Sequence, residues 1–286
     1  MENFERYNEF FYKAQRSGSY NSAKTIVSLL SRIFKIDSVV DVGCGVGTWL
    51  KAFHESGADE ILGFDANCLP SESLMVPRDR IRIIDFEGDL PVCSKKYDVA
   101  VCLECLEHLT EGAARKVARQ FCLFSDLLLF SAVIPFQDGE NHINCHNLCY
   151  WSDIFRSQGF TCFDILRPQL IQGGFKIEPW YLQNILIFAK NDPREKLLEL
   201  GYRETSAPVT FYHQELFRQI LEKQNREHRE SIDEVLGHLI VSNEKILDSL
   251  NRLNHENCYL KAQLDSVLAR LSITQRVKAR FFKFLK

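Results

Sequence analysis

The segment VVDVGCGVGTWL, residues 39–50, most constrains what this chain can fold into. A β-branched run that reads as a strand passes through Gly43, Gly45 and Gly47 into a stretch that reads as a helix. Glycines at alternate positions let the backbone turn sharply and let a ligand approach it closely. Strand, tight turn and helix in that order form the opening unit of an open α/β sheet.

The chain continues in the same manner. Strand candidates lie at 38–43, 60–65, 81–85, 97–102, 126–133, 160–166 and 183–190, with helix candidates such as 47–56 and 111–121 between the early ones. Strands alternating with helices predict a mainly parallel sheet covered on both faces, and right-handed crossovers make it doubly wound. The last two strands show no helix between them, which predicts that one runs antiparallel. Residues 1–36 read as a helical lead-in, through SAKTIVSLLSRIF. Apolar residues make up 45% of 286, enough for one large core and a further segment.

A net charge of −3 gives no global field for nucleic acid or anionic lipid. The opening MENFERYNEFFYKAQR lacks the apolar region of a signal peptide, and the run LLLFSAVIPF (127–136) is too short to span a bilayer. A cytoplasmic protein is expected. The ten cysteines are scattered, and no second C-x-x-C accompanies Cys102 and Cys105, so free thiols in a reducing compartment are expected.

Three acids sharpen the glycine signal. Asp41 precedes the first glycine by two, and Asp65 ends the second strand, where a carboxylate can accept from both hydroxyls of a ribose. Asp85 ends the third strand beside Phe86, a polar contact and an apolar face suited to an adenine. The spacing is G-x-G-x-G, not the G-x-G-x-x-G of dinucleotide binders. With YDVAVCLECLEHL (97–109), this pattern resembles the class I S-adenosylmethionine-dependent methyltransferases over roughly residues 37–190. The resemblance implies a Rossmann-like, doubly wound, mainly parallel seven-stranded sheet and S-adenosylmethionine as cofactor. It places Asp41, Gly43 and Gly45 near the methionine part, Asp65 on the ribose, and Asp85 with Phe86 at the adenine, and it counts Cys44 and Gly47 among the cofactor residues. Leu103 joins the cofactor residues.

In CLECLEHL (102–109), Glu104, Glu107 and His108 are spaced i, i+3, i+4. A helical segment would put all three on one face and the cysteines on another. Two carboxylates and an imidazole suit a divalent cation such as Mg²⁺, Mn²⁺ or Zn²⁺. A fourth ligand is expected from GENHINCHNLCYW (139–151), with His142 first and His146 second. E-x-x-E-H with a later His resembles the small-RNA 3′-terminal ribose 2′-O-methyltransferases, and its E-x-x-E-H part the ubiquinone-biosynthesis O-methyltransferases. That resemblance implies a metal holding neighbouring oxygens of a diol or catechol. A bound cation lowers a hydroxyl's pKa and fixes its oxygen, and an imidazole can take the proton. Glu107, His108 and His142 are therefore the expected catalytic residues; the plainer alternative is that Glu107 and His108 cap the following helix.

Residues 131–160 resemble bacterial methyltransferases encoded with glycosyltransferases in surface-polysaccharide loci, through His142, Asn144, Tyr150, Trp151, Phe155, Gly159 and Phe160. EPWYLQNILIF (178–188) resembles the same group, whereas NCHNLCYW replaces the more polar stretch expected there. The resemblance implies a saccharide hydroxyl or a glycan-linked phosphate as acceptor. Trp151 either stacks on a sugar ring or packs in the core. An RNA ribose 2′-O-methyltransferase is the alternative, though the domain has no basic strip with interleaved aromatics. A non-catalytic scaffold is the other.

Residues 191–231 read as a linker or helical segment. From Ile232 a heptad pattern runs to Leu271, with Ile232, Leu239, Ile246, Leu253, Leu260 and Val267 on one seam position. Leu236, Asn243, Leu250, Asn257, Leu264 and Leu271 occupy the other. This predicts a coiled coil and a homodimer, the two Asn favouring two parallel strands. The tail QRVKARFFKFLK (275–286) is basic and aromatic, suited to an anionic membrane surface or a glycan-assembly partner.

Overall fold

The computed structural model describes residues 9–270 except 89, 92–94, 138 and 140; side chains of 9–17, 227–240, 242, 243, 250, 254, 258 and 270 are not described. Leu271 and the 275–286 tail lie outside the described residues. The chain divides into two compact units, Met1–Leu221 and Glu222–Lys286.

The first unit opens with α1 (Glu9–Ser31), β1 (Ser38–Val42), α2 (Thr48–Glu55), β2 (Glu60–Asp65) and β3 (Ile81–Ile83). It continues through β4 (Val99–Leu103), α3 (Glu111–Phe121), β5 (Leu127–Ser131), α4 (Leu148–Ser157) and β6 (Thr161–Phe163). It closes with α5 (Leu166–Gln172), α6 (Pro179–Asn184), β7 (Leu186–Ala189) and α7 (Asn191–Glu199). The seven strands form one sheet in the order β3-β2-β1-β4-β5-β7-β6. β1 to β5 pair in parallel, with Asp41 level with Gly63 on one side and Val101 on the other. The expected doubly wound, mainly parallel sheet is present.

Strand periodicity sorts the core into two layers. Val39, Val99, Val101, Leu127 and Leu129 pack against α1, α2, α5 and α6 through Ile26, Leu30, Phe53, Leu170 and Tyr181. Val40, Val42, Ala100, Leu128 and Phe130 pack against α3 and α4 through Val117, Phe121, Trp151 and Phe155. β5, buried on both faces, has no polar residue until Ser131, as a central strand requires.

The far edge departs from expectation in one respect. β7 is antiparallel to both β5 and β6, as expected of one of the last two strands. The stretch between β6 and β7, however, holds two short helices, α5 and α6. Their signals are Pro179 at the start of α6 and the Gly173-Gly174 pair that ends α5.

Residues 191–231 hold α7, which buries Leu197, and the start of α8. α8 runs from Gln214 to Arg270, a single helix of 57 residues. No helix among the described residues is long and apolar enough to cross a membrane.

Candidate active site

The sheet reverses direction of winding between β1 and β4, and in open α/β sheets that crevice is where ligands bind. The glycine turn leaves the C-terminal end of β1. Gly43, Gly45 and Gly47 all adopt positive φ, at 80°, 54° and 82°. They differ in what surrounds them. A Cβ on Gly43 would lie 2.6 Å from the Cβ of Cys105, so this glycine is required by packing. A Cβ on Gly45 would meet nothing within 4 Å. Gly45 is therefore where backbone is open to a ligand.

The acids around this turn are buried. Asp65, at the end of β2, accepts from Gly45 N at 2.7 Å and Asn67 N at 2.8 Å. Burial raises its pKa, and those backbone bonds pull it back. Asp41 is buried, its Oδ2 has no hydrogen-bond partner, and burial followed by the charge of Asp65 pushes its pKa well up. Cys44 is a buried thiol held protonated by burial. Asp85 is exposed and accepts from Glu87 N at 2.9 Å. Phe86, the expected apolar face for an adenine, is buried in the layer with Phe64 and Leu90. Leu103 ends β4 in the opposite layer.

Beyond β4 the chain does not continue as a helix. Glu104 has φ 50°, a conformation rare without glycine, and only Leu106–His108 form a single 3-10 turn. Glu104, Glu107 and His108 therefore do not share a helical face, which corrects the spacing argument. Glu107, His108 and His142 do converge: one ligand atom from each lies within 4.8 Å of the others. Glu104 stands outside that group. Its carboxylate accepts from Asn184 Nδ2 at 3.3 Å and Gln137 Nε2 at 3.4 Å. Gln137 Oε1 in turn accepts from Gln183 Nε2 and Asn184 Nδ2, both at 2.9 Å. Gln137, Gln183 and Asn184 are all buried. No spacing in the sequence pointed to them, because they reach Glu104 from the loop after β5 and from α6.

Backbone bonds place His142. Ile143 N and Asn144 N both donate to Glu107 O, at 2.9 and 3.1 Å, and Asn144 Nδ2 donates to Leu106 O at 3.2 Å. A Cβ on Gly139 would collide with the His142 ring, so glycine makes room for that imidazole. His146 faces elsewhere: its Nε2 is 2.8 Å from Asn144 Oδ1, and its ring stacks on Tyr150 at 3.7 Å. Trp151 is fully buried beside Phe130, a core residue and not a sugar platform. Cys102 and Cys105 are buried free thiols.

The electrostatics of the group are unusual. Both oxygens of Glu107 are buried without a hydrogen-bond partner. Burial, then the charge of Glu104, pushes its pKa well above the usual carboxylate range. Burial lifts Glu104 to about 7, partly offset by Ser131, Asn184 and Gln137. His108 is held below its ordinary value by burial, so its imidazole is neutral at pH 7. A buried anion without partners calls for a cation or a proton. The donor set of one carboxylate and two imidazoles suits Zn²⁺, Mn²⁺ or another first-row divalent ion.

Residues 11–126 match the model of a methyltransferase domain. That span runs from within α1 to the residue before β5 and contains the glycine turn, Asp41, Asp65, Glu107 and His108. Solved structures similar to the chain include magnesium protoporphyrin IX methyltransferase from Synechocystis PCC 6803 with bound S-adenosylmethionine. The identity is 20%, over 64% of this chain and 85% of that one, with a TM-score of 0.45. An amino pentose methyltransferase from Micromonospora echinaspora, also with S-adenosylmethionine, is 19% identical over 45% of this chain and 58% of that one, with a TM-score of 0.36. No curated protein matches the chain.

Proposed function

We propose that the chain is an S-adenosylmethionine-dependent O-methyltransferase whose acceptor is a saccharide hydroxyl or a glycan-linked phosphate. The observation that carries the reading is one of position. The open glycine turn after β1 and the Glu107–His108–His142 group after β4 and β5 lie at the C-terminal ends of neighbouring parallel strands. A cofactor site and a proton-handling group thus share one crevice.

The residues fit the cofactor. Gly45 leaves the backbone open, Asp65 is held in place by two N–H groups, and Asp41 presents a buried acceptor atom without a partner. When bound, S-adenosylmethionine supplies an electrophilic methyl group on sulfur. The chain's part is to hold the acceptor oxygen and take its proton. His108, kept neutral by burial, is the base that suits this role. The saccharide class rests on the resemblance of residues 131–160 and 178–188 to polysaccharide-locus enzymes.

A metal-assisted version is favoured by the partnerless Glu107 carboxylate beside His108 and His142. These three residues would hold a divalent ion, whose chemistry would be to acidify a neighbouring hydroxyl. Calorimetric titration with S-adenosylhomocysteine, before and after chelation and with metal content assayed, tests both. Binding in both states supports the transferase, and a stoichiometric ion lost on chelation supports the metal. Absence of binding in either state overturns the proposal in favour of a scaffold.

A further inference from the structure

Several apolar residues of α8 lie in solvent. Ile246, Leu253, Leu260 and Val267, one seam position of the heptad pattern, are each more than half exposed, and Leu264 on the other position is also exposed. A helix of 57 residues with such a stripe leaves unburied the surface that normally stabilises long helices.

We infer that this stripe is covered by a second copy of the chain, as a parallel, in-register, two-stranded coiled coil over 232–271. The seam positions select that occupant. With Leu236 at position a and Leu239 at d, Asn243 and Asn257 fall at a, and every d residue is apolar. In an antiparallel pair a faces d of the partner, so both Asn would be buried against Ile, Leu or Val. In a parallel pair slipped by one heptad, Asn257 would face Leu264 and Asn243 would face Leu250. Only the in-register parallel pair matches each Asn with its own copy, where the two amides satisfy one another.

Charge supports the same arrangement. Glu256 lies at position g and Lys261 at the following e, both exposed. In a parallel in-register pair, g of one chain meets the next e of the other, which gives two symmetric Glu256–Lys261 ion pairs. An antiparallel pair would bring g against g and e against e. Leu247, exposed at e, extends the seam on its flank.

Sedimentation equilibrium on the full chain tests this at low and high salt. A two-chain mass is expected. The double variant Leu253→Asp/Leu260→Asp is expected to sediment as monomer with its S-adenosylhomocysteine affinity unchanged. Glu256→Lys is expected to weaken association about ten-fold at low salt and little at high salt, since two attractive pairs become repulsive. Glu256→Lys/Lys261→Glu is expected to restore it. A monomeric wild-type chain, a three- or four-chain mass, or a double Asp variant that stays dimeric would overturn the proposal. Failure of the charge swap to restore association would overturn the parallel register.

Discussion

The imidazole rings of His108 and His142 lie with centroids 5.0 Å apart, although one follows β4 and the other follows β5. Glu107 links them: its side chain joins both imidazoles in one group, and its carbonyl anchors the backbone just after His142. The two loops are therefore fixed to each other at the point where their side chains meet.

This geometry separates Glu107 from Glu104 as cation ligands. Titrating the protein with Mn²⁺ by calorimetry should show Glu107→Gln and His142→Ala weakening binding by at least about ten-fold. Glu104→Gln should leave the affinity within about two-fold, because that carboxylate is engaged by Asn184 and Gln137. Equal losses in all three variants would return Glu104 to the ligand set.

Two glycines of one turn should fail in different ways. Gly43→Ala collides with Cys105 and should cost about 3 kcal/mol or more in denaturant unfolding. Gly45→Ala has open space and only backbone strain, about 1 kcal/mol, so the protein should stay folded. Its methyl group should instead reduce S-adenosylhomocysteine affinity at least about ten-fold. Unchanged affinity in Gly45→Ala would move the cofactor away from this turn.

Glu104 should write itself into the pH dependence of stability. Its folded pKa of about 7 lies above the ordinary glutamate value of 4.5, so the folded state retains a proton that the unfolded chain releases. Its contribution is fully present below about pH 4.5 and is lost as pH rises to about 7. The size of that loss is on the order of 3 kcal/mol. Glu104→Gln should flatten stability across this window in urea titrations; an unaltered slope would assign the proton elsewhere.

Arg167 is buried, paired with Asp164, and donates to the carbonyls of Gln183 and Val209 at 2.8 and 2.9 Å. Arg167→Ala should cost about 3–5 kcal/mol, since it strands the Asp164 carboxylate and two carbonyls. Arg167→Ala/Asp164→Ala should recover part of that loss, read as a higher melting temperature than the single variant.

What the sequence revealed was what is local. The strand, turn and helix at 39–50 and the acids at 41 and 65 are fixed by short-range spacing, and each lies where its spacing predicts. Helix α3 at Glu111–Phe121 matches the expected 111–121 because Thr110 caps its start, accepting from Ala113 N. His142 was legible as a partner of Glu107 because the loop after β5 must return to the same crevice. The Glu104 cage was not legible. A single left-handed residue broke the helical spacing at Glu104, and the Asn184 amide reached it from α6, eighty residues on. Trp151 was ambiguous because an aromatic next to a site carries no mark of which side it faces.

The placement of β7 sets an order of assembly during synthesis. β6 touches the sheet only through β7, which itself bonds to β5. β6 thus leaves the ribosome with no strand to join until residues 186–189 follow it. Asn184, which donates to Glu104, and Gln183, which donates to Gln137, are carried in the same late segment and reach these partners only when that strand docks. The amide cage is therefore a closing step of folding: a nascent chain stopped short of β7 would hold the glycine turn but not the finished crevice.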